Sequence, residues 1–98
     1  MTALVLAAEL ALDVERIAAH LTEYEVADIE GRVAEIFDAL ELLLRHPLIG
    51  RPVAGERREL VMGEGARGYV ARYAYDRLAD AVVVLALQAQ REVGFQDR

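Results

Sequence analysis

Apolar positions along the first half of the chain follow a helical period. From about Ala8, Leu10, Val14, Ile17, Leu21 and Tyr24 recur at intervals of three and four, which draws one stripe on a helix. A second stripe, Val26, Ile29, Val33, Ile36, Phe37, Leu40 and Leu44, predicts another helix from about Val26. Gly31 sits inside that helix at a cost of roughly 1 kcal/mol relative to alanine, which suggests a close approach of the two helices or a slight break. Pro47 ends the pattern, because the residue before a proline is pushed out of the α region. The short link between the stripes makes a helical hairpin the expected arrangement.

The second half changes period. Residues 46–56, with two prolines and two glycines, read as a loop. Three β-prone segments follow, at about Arg57–Met62, Gly68–Tyr75 and Ala81–Ala89, with turns at Gly63–Arg67 and Asp76–Asp80. Along the middle segment Tyr69, Ala71, Tyr73 and Tyr75 point one way while Val70, Arg72 and Ala74 point the other. The run "AVVVLAL" has neither charge nor alternation, so it is expected to be buried on both faces or central in the sheet. Residues Ala3–Ala7 read as a short, buried edge strand running into the first helix. The fold class that satisfies these patterns is α+β: an N-terminal strand and a helical hairpin packed on a small antiparallel β-sheet. The 98 residues make a single domain with one modest core.

Composition narrows the chemistry. The formal charge is −6, but residues 1–50 set ten acids against three arginines, a balance of −7, while residues 51–98 set seven acids against eight arginines, a balance of +1. An acidic total argues against broad nucleic-acid binding, which needs clustered positive charge, so direct DNA binding by this chain alone is not expected. The chain has no lysine, cysteine or serine, which excludes disulfides, thiol or serine nucleophiles and cysteine-based metal sites. No cofactor or metal is implied; His20 and His46 have no ligand-spaced partner. His46, just before Pro47, suits capping of the terminal helix carbonyls. The apolar start lacks a basic region and carries Glu9 and Asp13, which suits neither a signal peptide nor a membrane span; a cytoplasmic protein is expected.

The helix carboxylates Glu9, Asp13, Glu23, Glu25, Asp28, Glu30, Glu35, Asp38 and Glu41 fall mostly opposite the apolar stripes and read as a solvated face. "GEGAR" lacks the length and the lysine of a phosphate loop and reads as a hairpin turn. What remains is a set of arginines and tyrosines: Arg51, Arg57, Arg58, Arg67, Tyr69, Arg72, Tyr73, Arg77 and Arg91. On a sheet, such residues pair with helix carboxylates, receive an acidic partner, or bind RNA by phosphate contact and stacking. Composition leaves all three open.

The order of these segments resembles a known family. "LALDVERIAAHL", "ALELLLRHPLIGRP", "RREL", "GYVARYAYD", "VVVLAL" and the terminal "QREVGF" together look like the ParE branch of the RelE/ParE superfamily, the plasmid-stabilisation toxins. The resemblance covers nearly the whole chain, and "HPLIGRP" followed by "REL" and "GYVARY" is its most specific part. It implies a type II toxin neutralised by a cognate antitoxin, ParD-like, with a ribbon-helix-helix DNA-binding part and a tail that wraps the toxin. ParE-type toxins are associated with inhibition of DNA gyrase, and RelE-type toxins cleave messenger RNA in the ribosome. A ribosome-dependent nuclease needs acid–base groups and a basic docking surface, so the acidic, lysine-free composition favours the non-catalytic gyrase reading. Family members commonly carry Arg-His just before the terminal "QREAG"; here Gln88 and Ala89 stand there, without a cation or a titratable ring. This departure keeps a non-toxic antitoxin-binding module as an alternative. The candidate recognition and structural residues are Arg51, Arg58, Tyr69, Tyr73 and Arg91.

Overall fold

The computed structural model describes residues 1–23, 28–63 and 68–89. In chain order it contains β1 (Ala3–Leu6), α1 (Leu10–Glu23), α2 (Ile29–Arg45), β2 (Arg51–Val53), β3 (Arg57–Met62), β4 (Tyr69–Asp76) and β5 (Ala81–Ala89). The five strands form one sheet in the order β1-β5-β4-β3-β2. The expected positions Tyr24 and Val26, most of the "GEGAR" turn and Arg91 in the terminal "QREVGF" lie outside the described residues.

Two strand expectations need correction. The sheet is mixed rather than antiparallel, because β1 pairs parallel with β5, Ala3 opposite Ala81 through Leu6 opposite Val84. Residues 46–56, which read as a loop, contain β2, which pairs with β3 from Arg51–Glu59 to Val53–Arg57. Its three residues, one of them proline, are too short and too poor in β-formers to stand out in sequence. Proline is tolerated there because β2 is an edge. β1 is also an edge, but it is less buried than its apolar residues suggested: Val5 and Leu6 are 45% and 43% exposed, and Leu4 alone packs on the core.

Both helices supply one side of the core. Leu10 and Ile17 of α1 and Ile36, Leu40 and Leu43 of α2 pack with Tyr69, Ala71, Tyr73, Val82, Val84 and Leu87. The stripes therefore meet the sheet face that the β4 alternation assigned to its tyrosines. Burying a side chain such as Leu40 or Leu43 contributes about 1.5–3 kcal/mol, so this cluster dominates the stability. As its uncharged run suggested, β5 lies inside the sheet, between β1 and β4.

Gly31 answers to a local need, not to helix–helix approach. It lies in the first turn of α2, where its N–H donates to Asp28 Oδ1 at 3.1 Å. A Cβ there would collide with the Asp28 carboxylate, so the cap and the glycine go together. At the other end, the backbone N–H of His46 donates to Leu42 O at 3.0 Å, so the cap is made by the main chain while the side chain is exposed.

Asp13 is the main exception to the solvated helix face. It is only 2% exposed. Its Oδ2 accepts the Leu87 N–H at 3.0 Å, and its Oδ1 accepts from Arg16 Nη1 at 2.8 Å. Arg16 Nη2 in turn donates to Leu87 O at 2.9 Å. The cause is topological. β1 accompanies β5 only as far as Val84, whose carbonyl takes the Ala7 N–H at 2.9 Å, and beyond it β5 has no neighbouring strand on that side among the described residues. A bulge skips Leu85, since Arg72 faces Ala86 while Tyr73 faces Val84. That skip turns the Leu87 main chain toward α1, where one carboxylate and one guanidinium take the place of a strand edge. Exposed positions are found for Glu9, Asp28, Glu30, Glu35, Asp38 and Glu41, as the stripe predicts.

The β4–β5 turn fixes the start of the chain in the same way. Asp80, at φ 48, accepts through Oδ1 from Tyr75 Oη and Thr2 Oγ1, both at 2.8 Å, and its carbonyl accepts the Ala3 N–H at 2.9 Å. The bonds from Tyr75 and then Thr2 hold the Asp80 carboxyl below its usual range, and the same bond to Asp80 raises the Tyr75 phenol.

Candidate functional site

With the helices on one face, the other face of the sheet carries the side chains of opposite parity. Strand register draws a charged row across it. Arg51 on β2 lies opposite Glu59 on β3, and Glu59 lies opposite Arg72 on β4. Arg51 Nη2 donates to Glu59 Oε1 and Arg72 Nη2 to Glu59 Oε2, each at 2.9 Å. The row is graded in exposure, with side chains 74%, 9% and 18% exposed for Arg51, Glu59 and Arg72. Burial pushes the Glu59 carboxyl up, but the hydrogen bonds and charges of the two arginines outweigh it and leave its pKa below the ordinary value. Glu59 therefore stays ionised, and the row presents two cations against one anion. Arg51 was a candidate from sequence; Glu59 was not. The signal for Glu59 was its strand parity, out of phase with the apolar Leu60 and Met62.

Arg58 and Tyr73 come together on the helix-facing side as cross-strand partners. Tyr73 is fully buried, and its Oη accepts the Gly50 N–H at 2.8 Å. Arg58 Nη1 donates to Leu48 O at 3.0 Å and to Gly50 O at 2.9 Å. The two side chains thus clasp the loop that follows α2 and set the start of β2, one residue before Arg51. Burial raises the Tyr73 phenol, partly opposed by the Gly50 N–H and the Arg58 charge. A Cβ on Gly50 would lie 2.7 Å from Tyr73 Cε1 and Oη and 3.0 Å from Glu59 O. Removing the acceptor in Tyr73→Phe leaves the Gly50 N–H without its partner and is expected to cost about 1–2 kcal/mol in urea unfolding. Gly50→Ala is expected to cost about 1–3 kcal/mol, because a buried ring and a backbone carbonyl must both give way. A neutral outcome for both would show that the loop is not held by this clasp.

Tyr69 opens β4 and faces the helix side, 8% exposed, opposite Ala89. It lines a cleft of about 470 Å³ between α2 and the sheet, with Ile36, Leu42, Leu60 and Met62. Gln88, opposite Val70, belongs to the face away from the helices and is 6% exposed. Arg91 lies outside the described residues. The five candidates therefore do not form one site: Arg58 and Tyr73 share a loop, Arg51 projects onto the other face, and Tyr69 lines a separate cleft. Among the described residues no cluster of three or more His, Asp or Glu could hold a metal ion. No helix among them is long and apolar enough to cross a membrane.

In comparisons with known proteins, no family model matches the chain and no curated protein matches it significantly.

Proposed function

We propose that this chain is a ParE-like toxin of the RelE/ParE type, acting by binding DNA gyrase and neutralised by a cognate ParD-like antitoxin. The observation that carries this reading is a helical pair on one sheet face and, on the other, the Arg51–Glu59–Arg72 row beside Gln88. Such a face suits protein recognition. Arg51 is exposed and oriented by Glu59, while neither Gln88 nor Ala89 offers a group able to exchange a proton at neutral pH. That pair also favours the second reading, a binding module that engages the antitoxin without toxicity.

Induction of the chain in a bacterial host, with and without the adjacent short reading frame, separates these readings. Growth arrest with filamentation and loss of supercoiling, relieved by the co-expressed frame, is the expected result. Codon-biased cleavage of transcripts would move the target to the ribosome. Full growth at good soluble expression would leave the binding module. Absence of an antitoxin-like neighbouring frame would count against all three. Arg51→Ala, whose side chain is largely in solvent, is expected to change stability by less than about 1 kcal/mol. It therefore tests recognition without unfolding the protein.

A further inference from the structure

A second cleft, of about 640 Å³, opens between the loop after α2, the β2–β3 turn and the β4–β5 turn. We infer that it is a docking site for an acidic peptide segment bearing aliphatic side chains, presented by a partner protein. The inference is independent of the toxin reading, which rests on the sheet face away from the helices and on Arg51.

Charge is the first argument. Arg57, Arg58 and Arg77 line the cleft, against the acids Glu56 and Asp76. Asp76 is committed to the turn, its Oδ1 accepting the Leu78 N–H at 3.0 Å and the Ala79 N–H at 3.2 Å. Arg58 spends its Nη1 on two neutral carbonyls and has no carboxylate partner among the described residues. Arg77 is exposed and makes no ion pair among them. The cleft thus holds a surplus of positive charge in a chain whose total is −6. A guanidinium left without an anion is the group that a carboxylate satisfies best, through paired N–H···O bonds.

Apolar exposure is the second argument. Leu78 is 102% exposed at the tip of the β4–β5 turn, and Leu48 is 45% exposed across the cleft. A leucine wholly in water beside the guanidiniums of Arg58 and Arg77 describes a contact surface that combines an aliphatic anchor with charge pairing. Rigidity is the third. The β4–β5 turn is closed by the Asp76 bonds to the Leu78 and Ala79 N–H groups. A wall already ordered loses little entropy on binding.

A nucleic acid fits less well. Tyr75, the aromatic ring of the cleft, is tied through its hydroxyl to Asp80 at 2.8 Å, and the acidic helices repel a polyanion longer than the cleft. A short acidic peptide escapes that repulsion because its charges end where the cleft ends.

The test is fluorescence anisotropy on the full chain with a labelled peptide that alternates glutamate and leucine. Matched glutamate–serine and lysine–leucine peptides and a single-stranded RNA serve as controls. The glutamate–leucine peptide is expected to saturate and to weaken with salt, as pairing between accessible charges does. It should shift the backbone amide resonances of Leu48, Arg57, Arg77 and Leu78. Arg77→Glu and Leu78→Asp, both at exposed positions and checked for native circular dichroism, are each expected to weaken binding by about tenfold. Arg45→Glu, exposed on α2 and outside the cleft lining, is expected to leave it unchanged. Absence of saturable binding, equal binding of the lysine–leucine peptide, tighter binding of the RNA, or affinity unchanged by Arg77→Glu would each overturn the inference.

Discussion

Asp13→Ala is expected to destabilise the protein by about 3 kcal/mol, lowering the melting temperature by roughly 12–24 °C. The carboxylate is 2% exposed and joins two elements far apart in sequence, α1 and the end of β5. Alanine removes the carboxylate that accepts the Leu87 N–H, at a point where β1 has already ended and no other described strand lies alongside. Water does not reach Leu87, which is fully buried, so the donor bears its whole desolvation cost. Arg16 is different, with its side chain 44% exposed. Arg16→Ala is expected to cost less, about 2 kcal/mol, because it takes a donor from the Leu87 carbonyl and from the Asp13 carboxylate but leaves the Leu87 N–H satisfied. Asp13→Asn keeps an oxygen acceptor but loses the charge, and should fall between the two. Urea unfolding of the three variants at neutral pH measures the order. A cost below 1 kcal/mol for Asp13→Ala would show that the helix does not stand in for a strand edge.

Glu59→Gln is expected to cost about 2 kcal/mol at neutral pH and progressively less in acid. The shape of the side chain is kept, but two guanidiniums then face each other across β3 without an anion between them. The sign follows from the lowered carboxyl pKa in the folded state. The stabilisation from Glu59 is fully present above the unfolded value, near 4.5, and is lost as pH falls through the still lower folded value. The difference between the native protein and the variant should therefore shrink across that acidic window and stay constant above it. Urea midpoints measured from neutral pH down to about 3 test this, and a difference independent of pH would refute the linkage.

These residues show how much was legible beforehand. Strand β4 was readable because its tyrosines and Ala71 alternate with Val70, Arg72 and Ala74, and a half-covered strand leaves that trace. The boundaries of β3 and β5 coincide with expectation for the same reason. β2 left no trace, since three residues with a proline look like the loop on either side. Asp13 was misjudged because helical periodicity measures the angle from the apolar stripe and not what lies beside it; three residues past Leu10, it sits at the stripe margin. Of the candidate residues, Arg51, Arg58, Tyr69 and Tyr73 were each picked for chemical type. Which would serve as clasp, row or cleft wall depends on strand pairing, which no residue's type discloses.

The sequence by itself determined the two helices, four of the five strands and the face of β4 that would be buried, because periods of 3.6 and 2 are local consequences of backbone geometry. It also determined the split of charge between the acidic first half and the arginine-bearing second half. Tertiary structure decided the parallel placement of β1 against β5, the Arg51–Glu59–Arg72 row and the burial of Asp13. Each of these is a contact between segments remote in the chain, fixed by which strand ends where and which backbone groups are then left needing a partner.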